Sequence, residues 1–234
     1  GRNPISVLAI PVERDQLLSG LVEGQGDVAV GNLTVTVQRE AEVDFVVLPG
    51  HQQQEVLVSS PSAPVLTDER DLAHRMLAVR RSSSYFSSIE KLNSRLAKAG
   101  RPRAEALIVP EALEDEDLLE MLNAGLLDFS IVDDWKARLW QSVYPNIRIY
   151  PQIVLRERAQ TGWAIRKQSP KLAALLAGFQ QNVKKRHLME LKFAEYQQRI
   201  ARLGPVHAIS EWQKVKPIHT LFRRYGQDYR FDHL

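Results

Sequence analysis

The chain has 234 residues, of which 44% are hydrophobic and 25% are charged, so it can bury one large core or the cores of two small lobes and is not a disordered chain. Its formal net charge is only +3, with basic and acidic residues interspersed, which gives nucleic-acid binding no special support. It contains no cysteine and no apolar run of 18 residues, which excludes disulfide scaffolds, cysteine-ligated zinc, thiol nucleophiles and a membrane-spanning helix.

The first seventy residues predict short strands around one helix. Apolar runs of strand length occupy residues 5–9, 28–37 and 44–48. Residues 15–22 place leucine and valine on one helical face, which predicts a helix. Thr67 precedes three acidic residues and is predicted to cap a short helical turn, because its side chain can accept a hydrogen bond there.

The middle of the chain alternates strands and helices regularly. The predicted strands are residues 76–79, 106–109 and 127–132, and the predicted helices between them are residues 85–99 and 116–123. A strand, helix, strand rhythm of this length is typical of an α/β domain with a mainly parallel sheet.

The pattern changes towards the end of the chain. Residues 147–155 and 162–165 are predicted to be strands, and Ser169-Pro170 opens a further helix with a cap residue followed by proline. From Lys184 onward a long polar helix leads to a Gly204-Pro205 break. We interpret this last part as a linker or adaptor that contributes nothing to the core.

The first candidate binding segment is residues 31–39, which run from the end of a predicted strand through two threonines to Arg39. A guanidinium binds a carboxylate through two parallel hydrogen bonds, and backbone groups or a threonine hydroxyl can orient it. The segment could therefore bind a carboxylate. Alternatively, Arg39 is a solvated surface residue.

Two more candidate segments follow strands. Residues 80–85 (RRSSSY) put cations and hydroxyls at a helix start, which suits an anion, although Ser83 or Ser84 could merely cap the helix. Residues 128–135 (DFSIVDDW) end an apolar strand in two carboxylates, where Asp133 could bind a ligand ammonium. As the alternative, Asp133 or Asp134 caps the next helix.

Enzymatic sites find little support. The six histidines show no metal-type pairing, and no nucleophile elbow, P-loop or dinucleotide fingerprint is present. The acidic run 114–117 could suggest glycosidase carboxylates, but such a run at a helix start is usually solvated and complements the helix dipole. We therefore predict no catalytic residue, no metal site and no cofactor.

Taken in order, these segments resemble the amino-acid-type, family 3 solute-binding proteins of bacterial transporters. The resemblance rests on residues 27–45 (DVAVGNLTVTVQREAEVDF) and 125–133 (GLLDFSIVD). It implies an α/β, two-lobed periplasmic-binding-protein-like fold of type II, here with a C-terminal helical extension. It also implies that the chain crosses from one lobe to the other near residues 56–62 and 148–155. A ligand would then lie between the lobes and be buried when they close.

The resemblance also implies which residues bind the ligand. Carried over by position, the ligand-binding residues are Asn32, Thr34, Arg39, Ser82, Ser83 and Asp133. Arg39 would take a ligand carboxylate and Asp133 its α-ammonium. Ser82 replaces a glycine of the family, a departure that narrows the approach of the backbone to the ligand.

A narrower resemblance covers nearly the whole chain. Residues 72–92, 109–134, 162–170 and 221–234 are similar to the family of membrane-bound lytic murein transglycosylase F. In that family a solute-binding-like module precedes a lysozyme-like catalytic domain, whose glutamate lies in a Glu-Ser motif downstream of the segment resembling residues 229–234. This sequence ends before such a motif, so the resemblance implies a peptidoglycan lytic transglycosylase, a lyase, whose catalytic residue lies outside this chain.

The same resemblance implies a domain organisation. Residues 1–58 and 153–183 form lobe 1, which lacks its first strand, and residues 59–152 form lobe 2. Residues 184–220 are a helical linker, and residues 221–234 begin the truncated transglycosylase domain.

The implied ligand is an amino acid or a peptidoglycan-derived peptide. Peptidoglycan itself would be bound by the catalytic domain, the membrane would be reached only through an anchor ahead of Gly1, and nucleic acid is not an expected partner. The implied location is the periplasm, with outer-membrane association of the full-length protein. Three functions remain open: a ligand-binding, regulatory module, an enzyme, and a structural adaptor that positions the catalytic domain.

Overall fold

The computed structural model describes residues 6–205, in which the chain forms seven α-helices and six strands. The helices are α1 (Gln16–Val22), α2 (Val37–Glu42), α3 (Ser84–Lys98), α4 (Asp115–Asn123), α5 (Asp134–Trp140), α6 (Pro170–Lys185) and α7 (Leu188–Ala201), with a 3-10 turn at Glu69–Leu72. The strands are β1 (Val28–Thr34), β2 (Val43–Ser59), β3 (Met76–Arg80), β4 (Glu105–Val109), β5 (Phe129–Asp133) and β6 (Arg148–Arg166). None of the helices within residues 6–205 is long and apolar enough to cross a membrane.

All six strands belong to one sheet, in the order β1-β6-β2-β5-β3-β4. The long strands β2 and β6 run antiparallel side by side, from the pair Val43 and Arg166 to the pair Ser59 and Arg148. Strand β3 pairs in parallel with β4 and β5, as the strand and helix alternation predicted. The pairings β1–β6, β2–β6 and β2–β5 are antiparallel, so the prediction of a mainly parallel sheet is wrong for the sheet as a whole. The two strands predicted over residues 147–155 and 162–165 are parts of the single strand β6.

The apolar core is divided between two lobes. What we call the small lobe contains α1, β1, α2 and the adjoining ends of β2 and β6, around a cluster that includes Leu33, Val43 and Ala164. What we call the large lobe contains β3, β4, β5, α3, α4 and α5 with the other ends of β2 and β6, around two larger clusters and one smaller cluster. The pairing of β2 with β6 shifts register between Val47 and Gln52, where the chain passes from one lobe to the other.

Helices α6 and α7 lie on different lobes. On α6, Gln180 Nε2 donates to the carbonyl oxygen of Val46 at 3.2 Å, next to the small lobe. On α7, the ring of Phe193 meets that of Trp135 edge-on at 5.7 Å, and Ile200 is buried in a large-lobe cluster. The prediction that nothing after Lys184 contributes to the core is therefore wrong at Ile200.

Three local predictions need correction. Residues 6–9 of the predicted strand 5–9 form no regular structure, and Ile5 lies outside the described residues. The strand predicted over 28–37 ends at Thr34, because the Thr36 side chain accepts a hydrogen bond from the Arg39 amide and caps α2.

The cap of the 3-10 turn is also displaced by one residue. Asp68 caps this turn, and the Thr67 hydroxyl donates to Asp71 instead. The linker residues 206–220 and the transglycosylase-like segment 221–234 lie outside the described residues.

Candidate functional site

A cavity of about 30 Å³ lies between the two lobes. Its wall includes five of the six residues predicted to bind a ligand, namely Asn32, Thr34, Arg39, Ser83 and Asp133. The sixth, Ser82, is not on the wall. The end of β1, the start of α2, the β3–α3 connection and the end of β5 meet here, which brings together residues far apart in sequence.

Arg39 bridges the lobes through its guanidinium. Nη1 donates to the carbonyl oxygen of Thr34 at 2.7 Å in the small lobe, and Nη2 donates to that of Ser82 at 2.8 Å in the large lobe. Burial lowers the pKa of Arg39, and the nearby charge of Glu55 opposes this change. Arg39 forms no ion pair with a carboxylate of the described residues, so its charge is balanced only by carbonyl dipoles and more distant groups. It is not the solvated surface residue of the alternative interpretation.

Asp133 ends the fully buried strand β5 and is itself 1% exposed. Its Oδ2 accepts a hydrogen bond from Asn32 Nδ2 at 2.9 Å, whereas its Oδ1 is buried without a hydrogen-bond partner among the described residues. Burial raises the pKa of Asp133 to about 7, and the charge of Asp115 adds to this effect. A buried carboxylate oxygen without a donor is costly, so the site favours a cationic or donating group there.

Neither Asp133, at the end of β5, nor Asp134, which follows it, caps α5 with its side chain as the alternative predicted. Asp133 occupies the N-cap position of α5, but its side chain makes no capping hydrogen bond. Asp134 Oδ1 instead accepts from the backbone amide of Gln54 at 3.2 Å, which ties α5 to β2.

Asn32 reaches Asp133 from a left-handed backbone conformation, with φ of 53°. Asparagine tolerates this region better than most residues. The pairing of β1 with β6 is irregular between Ala29 and Leu33, which frees Asn32 from the ladder. The local distortion of β1 therefore places this carboxamide against the large lobe.

The serine run has three different roles. Ser82 donates from its amide (3.0 Å) and its hydroxyl (2.5 Å) to the Glu111 carboxylate. The Ser83 hydroxyl donates to the carbonyl oxygen of Arg80, and the Ser84 hydroxyl donates to Thr34 Oγ1 at 3.2 Å. Ser83 occupies the N-cap position of α3, as the capping alternative predicted, but its side chain makes no capping hydrogen bond.

A buried ion network that the sequence did not reveal completes the wall. Asp115 accepts hydrogen bonds from Arg80 Nη2, from Lys136 Nζ at 2.6 Å and from the Tyr85 hydroxyl at 3.1 Å. Although burial opposes it, these two cations lower the pKa of Asp115, and Asp115 in turn raises that of Lys136. Arg80 Nε remains buried without a hydrogen-bond partner among the described residues.

Arg14 extends this network across the cleft. It donates to both carboxylate oxygens of Glu114, at 3.2 and 2.9 Å, and to the carbonyl oxygen of Gly31 at 2.7 Å. Glu114 also pairs with Arg80 at 3.1 Å. A small-lobe arginine therefore closes one side of the cavity by pairing with a large-lobe carboxylate.

Part of this network had a signal in the sequence. Arg80 belongs to the candidate segment that contains the serines. The acidic run 114–117 was predicted to be solvated. This prediction is wrong for Asp115, which is only 3% exposed. Asp117 does complete a capping box with Glu114, as a helix-start acid should.

Within residues 6–205 no group of three or more His, Cys, Asp or Glu side chains is placed to hold a metal ion.

Comparison with protein families gives one match that covers most of the chain. The model of the bacterial extracellular solute-binding proteins, family 3, matches residues 3–196.

Curated relatives give a second, narrower likeness. A relative from Methylobacillus flagellatus named membrane-bound lytic murein transglycosylase F is 24% identical over 214 residues, which are 89% of this chain and 43% of that protein. A protein of the same name from Desulfosudis oleivorans is 26% identical over 65% of this chain and 32% of its own length. The chain thus spans less than half the length of these relatives. Both resemblances predicted from the sequence are confirmed.

Solved structures share the fold. An amino acid ABC transporter substrate-binding protein, AbpA from Streptococcus pneumoniae bound to L-arginine, superposes with a TM-score of 0.66 at 18% identity, covering 82% of this chain and 76% of its own. The GluR0 ligand-binding core in complex with L-glutamate gives 0.58 at 17% identity, covering 79% and 76%. The predicted α/β, two-lobed fold of type II is confirmed, with α6 and α7 as its C-terminal helices.

Proposed function

Because the chain belongs to family 3 of the bacterial extracellular solute-binding proteins, we propose that it binds a small amino acid or a cell-wall peptide between its two lobes. One observation carries the proposal. Arg39, which has no carboxylate partner among the described residues, and Asp133, whose Oδ1 is buried without a donor, line the same cavity. When Asp133 is ionised these two groups carry opposite charges, and a zwitterion carries the matching pair.

The chemistry of each contact can be assigned. Arg39 has five N–H donors and commits two of them to carbonyl oxygens, so donors remain for a ligand carboxylate. A ligand ammonium would satisfy Asp133 Oδ1 and favour its ionised form, which burial otherwise disfavours. Thr34, Ser83 and Asn32 line the same cavity and would orient the ligand, and Ser82 would act through the hydrogen bond that its carbonyl oxygen accepts from Arg39.

The two lobes are proposed to be the units that close on the ligand. The resemblance implied residues 1–58 and 153–183 as one unit and residues 59–152 as the other. Because residues 56–58 pack in large-lobe clusters, we place the boundary in β2 earlier, between Val47 and Gln52. A ligand held by Arg39 on one side and Asp133 on the other interacts with both lobes at once, so it favours the closed arrangement over an open one.

The curated relatives suggest where such a module would work. We assign it to a peptidoglycan lytic transglycosylase in which it senses a cell-wall amino acid or peptide and regulates the catalytic domain, while carrying no catalytic residue itself. The name "membrane-bound" and the extracellular family support a periplasmic location, with an outer-membrane anchor on the full-length protein. Peptidoglycan would then be bound by the catalytic domain and the small ligand by this module. That the Streptococcus pneumoniae neighbour was solved with L-arginine supports an amino acid as ligand class.

A structural adaptor is the second candidate. The cavity measures only about 30 Å³, and direct bonds such as Arg14 to Glu114 already join the lobes across it. In this role the module would position the catalytic domain without binding a ligand, and removal of the Arg39 side chain would change no binding or regulatory measurement.

A thermal-shift screen of the chain against amino acids and cell-wall peptides tests the proposal. A ligand that binds only the folded state raises the free energy of unfolding, by about 2.7 kcal/mol when its concentration is 100 times Kd, and the melting temperature rises with it. The shift should vanish in Arg39→Ala and persist in Arg70→Ala, since Arg70 is an exposed arginine whose one ion pair within residues 6–205 is with Asp68. A cooperative melt with no shift for any ligand would favour the adaptor.

A further inference from the structure

We infer that the cleft selects the smallest α-amino acids, because the buried Lys136–Asp115–Arg80 network and the Arg14–Glu114 pair fill the space next to the zwitterion contacts. The inference rests on the proposed function and narrows its ligand class to molecules the size of glycine, alanine or serine. Peptides and long charged side chains are excluded from the cleft.

The network is a rigid wall. The side chains of Arg80, Asp115 and Lys136 are only 3%, 5% and 8% exposed, and each is paired with another member. Moving one of them aside for a ligand would leave a buried charge without its partner, which is strongly destabilising. A ligand side chain therefore cannot enter at the expense of these residues.

The network is also electrically balanced. Its cations are Arg14, Arg80 and Lys136, and its carboxylates are Glu114, Asp115 and Glu116. Three positive charges thus face three negative charges, and no unpaired charge remains for a charged ligand side chain. A charged ligand side chain would therefore be buried beside the network without a counter-charge of its own, which is costly, and only Arg39 and Asp133 remain to pair with ligand charges.

The cavity is small in this arrangement of the lobes. About 30 Å³ is near the room needed by one or two waters and less than even glycine occupies, so any ligand must part the lobes, and a larger one must part them further. The wall that can give way is the Arg14–Glu114 pair, whose side chains are 23% and 44% exposed and which joins the two lobes. This pair therefore sets the length limit of the ligand.

Calorimetric titration of the full chain tests the inference. The ligands are glycine, L-alanine, L-serine, L-leucine, L-arginine, L-glutamate and the dipeptide alanyl-alanine. Wild type should bind one or more of the first three at least about tenfold more tightly than any of the others. Arg14→Ala should keep that binding and gain at least about tenfold in affinity for L-leucine or the dipeptide, since it removes the movable wall.

A second variant and a control keep the test decisive. Glu114→Gln removes the ion pair from the other lobe while keeping an oxygen for the α4 capping box, and it should broaden the ligand range in the same direction. Arg70→Ala should leave the ligand range unchanged. Wild-type binding of arginine, glutamate or the dipeptide as tight as that of glycine would overturn the inference while upholding the proposed function. A wild-type chain that melts cooperatively and binds nothing would overturn both.

Discussion

Asn32 Nδ2 donates to Asp133 Oδ2 at 2.9 Å, and this bond joins the small lobe to the large lobe at the wall of the cavity. The two residues are 101 positions apart and play unequal parts. Asn32 holds a left-handed backbone conformation, whereas Asp133 is a buried carboxyl with one oxygen satisfied and one not.

Two replacements of Asn32 distinguish the stability contributed by its hydrogen bond to Asp133 from the cost of its left-handed backbone conformation. Asn32→Gly keeps the left-handed backbone at no steric cost and should lower the free energy of unfolding by about 1 kcal/mol, for the lost hydrogen bond. Asn32→Ala should lower it by roughly 2 to 3 kcal/mol, since an alanine in this region adds about 1 to 2 kcal/mol. Urea denaturation measures both. Equal values for the two variants would mean that the backbone at residue 32 is not strained.

Asp133 should make the stability of the protein depend on pH. Its pKa is raised from 3.8 to about 7 on folding, so the folded state binds more protons than the unfolded state between these values. The contribution of Asp133 to the free energy of unfolding therefore falls as the pH rises from 4 to 7 and levels off above 7. Asp133→Asn removes this dependence, so the stability of the variant relative to wild type should rise over the same range. A relative stability that does not change with pH in urea titrations would contradict the assigned shift.

Lys136 should matter for stability because it is buried. Lys136→Met keeps the length of the side chain but leaves Asp115 with Arg80 and Tyr85 alone, and should lower the free energy of unfolding by about 1 to 3 kcal/mol. The matched control is Lys192→Met, which removes an exposed pair with Glu195 and should change stability by less than about 1 kcal/mol. Chemical denaturation of both variants checks the difference, and equal effects would argue against the network.

Ile200 tests whether α7 is part of the folded unit. This residue is 6% exposed in a cluster with Trp140, so Ile200→Ala should cost about 2 to 5 kcal/mol. On the same helix Leu191 is 57% exposed, and Leu191→Ala should change stability by no more than about 0.5 kcal/mol. Thermal melts of the two variants give the comparison. Similar melting temperatures would mean that α7 behaves as a linker.

Local patterns predicted most of the large lobe. Helix α3 was placed within one residue at each end because its apolar residues recur at helical spacing, and Ile89, Leu92 and Leu96 are buried as expected. The length of β2 was not predictable in this way, since Pro49-Gly50 normally signals a turn. In the structure this dipeptide falls where the register of β2 with β6 shifts, and irregular positions are where strands tolerate proline and glycine.

The candidate site was predicted only in part, for a physical reason. Arg39 and Asp133 follow strands whose ends meet, so their neighbourhood could be inferred from the order of the elements. The Arg14 to Glu114 bond joins residues 100 positions apart, one of them in a segment without regular structure, and no periodicity reports such a contact. The burial of Asp115 likewise depends on Lys136, which lies on another helix. The acidic run by itself is typical of a solvated helix start, so it does not predict this burial.

Helices α6 and α7 also limit how the lobes can move. Two adjacent strands, β2 and β6, define an axis about which one lobe can rotate relative to the other. The chain crosses between the lobes a third time at Arg186 and His187, which join α6, held by Val46, to α7, held by the contact of Phe193 with Trp135. A connection of only two residues between α6 and α7 allows the lobes to rotate only as far as both helices can keep their contacts. The connection at residues 186–187, which does not line the cavity, therefore limits how far the cleft can open.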